Sequence, residues 1–281
     1  MKKTRILSLA ITGALCLSLL AGCGGGNGGT AETPAAGASE TPAAENTSTA
    51  TGAAFKIGGT GPLTGDASLY GLAAQRGAQI AVDEINAEGG AIQFELNYQD
   101  DVNVPETAVN AYNTLKDWGM QISLGSVTSQ PGVSTSQLAM TDRIFTLTPS
   151  GSSPDVIEGK DCVYQMCFSD PNQGLASAQY IYDQGLGEKV FIIWKNDDVY
   201  STGIYNQFVT EAEALGLDVV GNATFTTDTS TNFTVQLTQA QEAGADLIFL
   251  PIYYQPASMI LTQADQMGYA PKFFGVDGMD G

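Results

Sequence analysis

The feature that most constrains the fold is a regular alternation of short apolar runs with amphipathic stretches, which begins at Phe55. Two of the runs, residues 190–194 and 247–250, are apolar at every position rather than at every second one. Strands of a parallel sheet covered on both faces have this pattern, whereas a strand with one face in water alternates apolar and polar side chains. We therefore predict an α/β fold with parallel sheets and right-handed helical crossovers.

The same patterns place the individual elements. Strands are predicted near residues 55–57, 92–98, 122–124, 144–147, 163–168, 190–194, 219–225, 247–250 and 273–274. Helices are predicted near residues 72–85, 105–118, 133–141, 174–183, 204–215, 233–242 and 257–267. The units fall into two groups that separate near Asp170, so we expect two open, doubly wound parallel-sheet lobes. A single (β/α)8 barrel is the competing architecture, but hydroxyl and turn residues after strands, at 125–129 and 148–152, favour open sheets.

The first 53 residues differ from the rest of the chain. Three cations precede an apolar run at residues 6–20, which is shorter than the roughly 20 residues of a membrane span and has the layout of an export signal. The closing Leu20-Ala21-Gly22-Cys23 resembles a bacterial lipobox, which implies a signal peptide at 1–22 and acyl chains such as palmitate on Cys23. Residues 24–52 have no large apolar side chain, so 23–53 is predicted to be a lipidated, disordered tether. An uncleaved anchor and a plain secretion signal are the alternatives, and each leaves the body outside the cytoplasm.

Composition excludes several functions. The 281 residues include no histidine, which removes Ser-His-Asp catalysis and every zinc site that needs imidazole. Eleven Lys and Arg against 30 Asp and Glu give a net charge of −19, which repels nucleic acid. Residues 163–166, between Cys162 and Cys167, are predicted to be extended as a strand, where residues five apart lie about 16 Å apart on opposite faces. A disulfide needs Cα atoms about 4.4–6.8 Å apart, so we predict two free, partly buried thiols.

Hydroxyl groups cluster after two neighbouring strands. Ser150, Gly151 and Ser152 follow one strand and precede a possible helical turn, and Ser129 follows the strand beside it. Hydroxyls and free backbone N–H groups at one sheet edge suit a carboxylate, although ordinary turn and cap residues have the same composition.

Other polar groups are predicted at the same edge. Tyrosines that occupy helix starts or strand ends can wall a small amphipathic ligand or simply pack in the core; they are Tyr70, Tyr200, Tyr253 and Tyr254. Asp277 follows the last short strand and can receive an ammonium group, or it is an exposed loop acid.

The glycine-rich segment at residues 58–65 does not fit a dinucleotide-binding loop. Thr64 replaces the third glycine of the motif, and Pro62 removes an amide donor where a pyrophosphate would lie. We expect these glycines to shape a turn after the first strand.

Three segments resemble the branched-chain amino acid (leucine/isoleucine/valine) binding proteins of ABC importers, which have the periplasmic binding protein type I, or Venus-flytrap, fold. They are Gly61-Pro62-Leu63-Thr64-Gly65 with Ala81-Val82-Asp83-Glu84-Ile85-Asn86, then Cys167-Phe168-Ser169-Asp170-Pro171-Asn172, and Lys195-Asn196-Asp197-Asp198-Val199-Tyr200. The resemblance covers residues 55–281. It implies an extracytoplasmic, lipid-anchored solute-binding protein that delivers an amino acid to membrane permease and ATPase subunits. It implies no catalysis and no cofactor.

The resemblance also assigns roles to residues. Ser129 and Ser152 would hold the ligand carboxylate, with backbone contacts from Ser150 and Gly151. Asp277 would bind the ammonium, standing where some relatives have glutamate; Ser152 stands where threonine is frequent. Tyr70, Tyr200 and Tyr253 would line the cleft. Relatives that bind aromatic amino acids, amides or urea leave the ligand's side chain open.

The family pattern predicts an N-terminal lobe at 54–169, a C-terminal lobe at 170–274 and the start of a return crossover at 275–281. Because such proteins cross between the lobes again, we expect a C-terminally truncated chain. Two other functions share the fold class. One is a ligand-sensing receptor domain, and the other is an α/β enzyme that uses Ser152 or Asp277.

Overall fold

The computed structural model describes residues 52–280 and contains two separate parallel sheets. The elements of the first sheet and its helices are β1 (Phe55–Gly61), α1 (Ser68–Ala87), β2 (Phe94–Asp100), α2 (Pro105–Trp118), β3 (Ile122–Ser126), α3 (Ser129–Asp142), β4 (Phe145–Thr148) and β5 (Val163–Gln165). The second group is α4 (Asp170–Gln184), β6 (Val190–Lys195), α5 (Val199–Leu215), β7 (Val219–Phe225), α6 (Thr234–Glu242), β8 (Leu247–Leu250), α7 (Tyr254–Gln266) and β9 (Lys272–Gly275). Short 3-10 helices cover Pro154–Val156, Thr227–Thr229 and Asp277–Met279.

Both sheets are open, with strand orders β2-β1-β3-β4-β5 and β7-β6-β8-β9. All of their pairings are parallel. This confirms the predicted α/β class with two parallel sheets, and the barrel alternative is wrong. We call β1–β5 with α1–α3 the first lobe, and β6–β9 with α4–α7 and the 3-10 helix at Asp277–Met279 the second lobe. The predicted boundaries after residues 169 and 274 stay predictions.

Burial explains why two strands are apolar throughout. Ile192 and Phe249 face a core that includes helices α4 and α5. In this core the ring of Phe249 stacks on that of Phe208, with ring centres 4.1 Å apart. Ile193 and Ile248 face the opposite core, against helices α6 and α7. The central strands β6 and β8 are therefore covered on both faces.

Close helix packing also depends on glycine. A Cβ atom on Gly174 of α4 would overlap the backbone of α5, at the carbonyl oxygen of Ile204. The absence of a side chain at this position lets the two helices approach closely. At the start of α4, the Asp170 backbone N–H donates to the Ser152 carbonyl oxygen at 3.0 Å, which joins this helix to the first lobe.

Two predictions about local structure are wrong. Gly58 and Gly59 lie inside β1 rather than in a turn, because side chains at those positions would overlap Met120 and the ring of Tyr98. The strand predicted at 163–168 ends at Gln165, where its pairing with Thr148 ends. Within the described residues Cys162 and Cys167 are both free and half-buried, as predicted.

Across residues 52–280, none of the helices has the length and apolar composition that a membrane crossing requires. The predicted signal peptide, Cys23 and nearly all of the predicted tether lie outside the described residues.

Candidate functional site

A cavity of about 200 Å³ lies between the two lobes at the carboxyl ends of their strands. Its lining residues come from six loops or helix starts: Tyr70, Val127, Thr128, Ser150, Ser152, Tyr200, Tyr253, Asp277, Gly278 and Asp280. Six of the eight ligand-contacting residues predicted from the sequence are in this set. Ser129 and Gly151 are the two that are not.

Ser129 organises the first lobe rather than lining the cavity. It is the first residue of α3, and its Oγ accepts the backbone N–H groups of Ser152 and Ser153, each at 3.1 Å. The Ser129 and Ser152 hydroxyl oxygens are 3.5 Å apart. Ser129 thereby holds the loop after β4 against the loop after β3. This loop geometry positions Ser152 at the cavity.

The backbone groups of Gly151 are also used within the first lobe. Its N–H donates to Thr148 Oγ1 at 2.9 Å, and its carbonyl accepts from Gln165 Nε2 at 2.7 Å. The Gly151 N–H, which is the donor that a ligand carboxylate would need, is therefore already used within the lobe. Ser150 and Ser152 remain on the cavity wall.

Thr128 is a cavity residue that the sequence reasoning missed. It is the residue before α3, in an extended conformation, and its side chain is 4% exposed. Within residues 52–280 its Oγ1 has no hydrogen-bond partner. A buried hydroxyl without a partner is costly, so a ligand acceptor at this position would stabilise it. The available signal was its place just before a helix, where threonine is favoured as an N-cap residue.

Aromatic rings form the opposite wall and join the lobes. Tyr200 and Tyr253 stack with ring centres 4.6 Å apart, and Tyr70 of the first lobe lies 5.5 Å from Tyr253. The Tyr70 hydroxyl donates to the carbonyl oxygen of Gly278 in the second lobe. Burial raises the pKa of the Tyr70, Tyr200 and Tyr253 phenols, so all three are neutral at pH 7. The wall is apolar on its faces and polar at its edges.

Asp277 carries the charge of the second lobe at this cavity. Its Oδ1 accepts from the Tyr200 hydroxyl at 2.5 Å, and its N–H donates to Gln173 Oε1 at 3.2 Å. Tyr200 also accepts from the Gly278 N–H at 2.9 Å. These bonds orient the carboxylate, yet Asp277 is exposed and open to a ligand. With Asp280 beside it and no Lys or Arg among the described lining residues, this end attracts a cation.

Two further carboxyl groups lie buried near the cavity. Asp170 is 0% exposed, and within the described residues neither of its oxygens has a hydrogen-bond partner. Burial raises the pKa of Asp170 to about 7; the nearby Ser152 opposes the shift, and the charges of Asp198 and Asp277 add to it. Burial also raises the pKa of Asp198, which caps helix α5 by accepting the Ser201 N–H at 3.2 Å. Within residues 52–280, no group of acidic and cysteine side chains is arranged to hold a metal ion.

Comparison with known proteins decides the family. A sequence profile of the periplasmic binding protein family matches residues 54–281. The chain belongs to the periplasmic binding protein family. This confirms the resemblance indicated by the sequence motifs, and it agrees with a cavity built between two parallel-sheet lobes.

Individual relatives of this periplasmic binding protein are named for leucine, isoleucine and valine. The Leu/Ile/Val-binding protein BraC3 of Rhizobium johnstonii is 27% identical over 226 residues, which cover 79% of this chain and 61% of that protein. The crystal structure of the leucine-binding protein LivK of Thermotoga maritima has a TM-score of 0.74 and 27% identity, covering 80% of this chain and 64% of that one. A third relative is the branched-chain amino acid transporter substrate-binding protein LivJ of Streptococcus pneumoniae, whose crystal structure contains isoleucine. It has a TM-score of 0.73 and 28% identity, covering 79% of this chain and 64% of that one.

The chain spans about three fifths of the length of the curated relatives it matches. The three relatives above are named as binding proteins rather than as enzymes.

Proposed function

We propose that this periplasmic binding protein is the solute-binding component of an ABC importer and captures an amino acid between its lobes. The supporting observation is that Thr128, Ser150 and Ser152 of the first lobe line the same small cavity as Asp277 of the second. Hydroxyl groups suit a carboxylate, and Asp277 suits an ammonium in a charge-assisted hydrogen bond. An α-amino acid has both groups on neighbouring carbons.

The size of the cavity and the names of the relatives both favour a small zwitterion. The volume of 200 Å³ is below the roughly 300–1,000 Å³ of pockets for drug-sized ligands. Leucine, isoleucine and valine are the first candidates, because relatives of the chain are named for them. Amides and urea are the alternative ligands, and they would leave Asp277 without an ammonium partner.

The proposed mechanism is closure of the two lobes over the ligand. A ligand that contacts both lobes favours the closed state by its difference in affinity for the two states. Contacts such as that between Tyr70 and Gly278 add to closure. No covalent bond is made or broken in this mechanism, so the protein is proposed not to be an enzyme. ATP would be hydrolysed by the ATPase subunits of the importer.

Attachment to the membrane completes the proposal. Cleavage before Cys23 and acylation of its thiol would anchor the chain to the outer face of the cell membrane. This anchor would keep the lobes close to a permease.

Isothermal titration calorimetry against the twenty amino acids, urea and short amides tests the proposal. We expect binding of at least one zwitterionic amino acid. The Asp277→Asn variant should weaken this binding at least about 30-fold, because the ligand ammonium would be buried between the lobes without a carboxylate partner, which costs about 2–5 kcal/mol. The exposed acid Asp265 on α7 offers a matched control, and Asp265→Asn should bind as the wild type does. Binding of amides or urea alone, or an unchanged affinity in Asp277→Asn, would contradict the proposed amino acid site.

A further inference from the structure

Asp170 lies where the two lobes join. It is the first residue of α4, and its backbone N–H donates to the carbonyl oxygen of Ser152, a residue of the amino acid cavity. Its carboxyl group packs against the backbone of α5, where a Cβ atom on Gly203 would lie 3.3 Å from Asp170 Oδ2. The carboxyl group is therefore held between a ligand-contacting loop of the first lobe and a helix of the second.

The Asp170 carboxyl group is buried without a partner. The residue is fully buried, and among residues 52–280 neither of its carboxyl oxygens has a hydrogen-bond partner. Such a group is costly, so a hydrogen-bonding group that comes within reach stabilises it. The Ser152 hydroxyl is close enough to oppose the rise that burial causes in the pKa of Asp170. Ser152 is therefore the partner that this carboxyl group would take.

The charges around Asp170 disfavour its ionised form. Within the described residues, the ionisable groups that face it from the packed elements are Asp155, Cys167, Asp198, Tyr253 and Asp277. The three carboxylates repel a charge on Asp170, and Lys195 offsets only part of the charge of Asp198. Burial raises the pKa of the Cys167 thiol and of the Tyr253 phenol, so both are neutral at pH 7. Burial and repulsion together raise the pKa of Asp170 to about 7.

The protonation state of Asp170 decides what the Ser152 hydroxyl can offer a ligand. A hydroxyl group has one proton to donate. When Asp170 is protonated, its carboxyl O–H can donate to Ser152 Oγ, and the hydroxyl keeps its own proton for the ligand carboxylate. When Asp170 is ionised, the Ser152 hydroxyl donates to Asp170 instead. The ligand carboxylate then faces the lone pairs of Ser152 and a second negative charge behind them.

We propose that Asp170 is a positioning residue that, when protonated, keeps the Ser152 hydroxyl free to bind the ligand carboxylate, so that the protein binds its amino acid more tightly below pH 7 than above it. The inference rests on the proposed function and adds control of affinity by a proton. Asp170 is not among the residues that line the cavity, so it acts through Ser152. By linkage, a carboxylate held by Ser152 favours the proton on Asp170, and binding above pH 7 therefore takes up a proton.

Calorimetry at pH 6 and pH 8 tests the inference, with leucine or with another of the twenty amino acids if it binds more tightly. Because Asp170 is half protonated near pH 7, the wild-type Kd should rise about tenfold between the two pH values. At pH 8, titrations in phosphate and in Tris, whose ionisation enthalpies differ, should show uptake of roughly one proton per ligand. Both measurements use the unaltered protein, so they do not depend on the folding of a variant.

Two variants assign the effect to these side chains. The amide of Asp170→Asn can donate to Ser152 Oγ at every pH, so this variant should bind as the wild type does at pH 6 and lose the tenfold dependence. Titration of the ligand itself cancels in this comparison. Ser152→Ala removes the hydroxyl that carries the effect, so it should bind more weakly at pH 6 and show a smaller pH ratio. Asp265→Asn, at an exposed acid on α7, should keep the wild-type ratio and proton uptake.

Three results would overturn the inference. One is a pH dependence of Kd that wild type and Asp170→Asn share, and another is an unchanged tenfold ratio in Ser152→Ala. The third is failure of all twenty amino acids to bind the wild type at either pH. That last outcome refutes the proposed function as well, whereas the first two refute only the control of affinity by Asp170 through Ser152.

Discussion

Replacing Asp170 with asparagine should change how the stability of the protein depends on pH. Asp170 begins α4, is fully buried, and has no hydrogen-bond partner for either carboxylate oxygen among residues 52–280. Burial raises its pKa from 3.8 to about 7, with Asp198, Asp277 and Asp155 adding repulsion. Above about pH 7, the folded protein must therefore hold a buried carboxylate without a cationic partner.

The sign and the size of the effect follow from this shift. Between about pH 4 and pH 7 the folded protein keeps the proton of Asp170 while the unfolded chain has lost it, so the free energy of unfolding falls as pH rises. A shift of about three pKa units corresponds to about 4 kcal/mol, at about 1.4 kcal/mol per unit. Asparagine is neutral at every pH and removes this dependence.

Urea unfolding followed by tryptophan fluorescence at pH 4 and pH 8 measures the effect. The free energy of unfolding of Asp170→Asn, relative to wild type, should increase by about 4 kcal/mol between the two pH values. The cost of burying the asparagine amide is the same at both pH values, so it cancels in this comparison. Burial also raises the pKa of the distant Asp101 to about 6, but Asp101 contributes equally to wild type and variant and therefore cancels as well. The exposed acid in Asp117→Asn serves as the control and should show little change. Parallel pH profiles for wild type and Asp170→Asn would refute the reasoning.

Other substitutions test packing, the site and the anchor. Gly71→Ala on α1 should destabilise the fold by about 1–3 kcal/mol, because a Cβ would overlap the backbone of the preceding turn; Gly77→Ala on the same helix, with no described neighbour within 4 Å, should stabilise it by about 0.4–1 kcal/mol. Equal shifts of Tm in the two variants would contradict this. Tyr200→Phe should weaken amino acid binding about tenfold by removing the donor that orients Asp277, and unchanged affinity by calorimetry would exclude that role. Cys23→Ser should release the protein from membranes at unaltered ligand affinity, and retention on fractionation would show that acylation at this thiol is not the anchor.

Elements whose structure is determined by a local pattern of residues are predicted correctly from the sequence. The unbroken apolar runs in β6 and β8 predicted strands covered on both faces, and helix α2 begins at Pro105 as expected of a proline at the first helical position. The glycines of β1 were misplaced because their reason is not local. Side chains from distant segments, Tyr98 and Met120, occupy the space above them.

The site was predicted in kind but not residue by residue. Thr128 and Ser129 are adjacent hydroxyl residues, and which of them lines the cavity depends on where α3 begins. Because the helix starts at Ser129, that hydroxyl turns toward the loop after β4, whereas Thr128 stays extended and lines the cavity. The helix was predicted to begin near residue 133, four residues after its actual start, so the sequence pattern did not distinguish the two roles. Helix ends are the least certain part of such a pattern.

A crystal structure of the protein with a bound amino acid tests the central claim most directly. We predict that the ligand carboxylate lies within hydrogen-bond distance of Thr128 Oγ1 and the Ser152 hydroxyl, and that its ammonium contacts the Asp277 carboxylate. A ligand bound away from these three residues, or one whose ammonium faces the serines, would contradict the account.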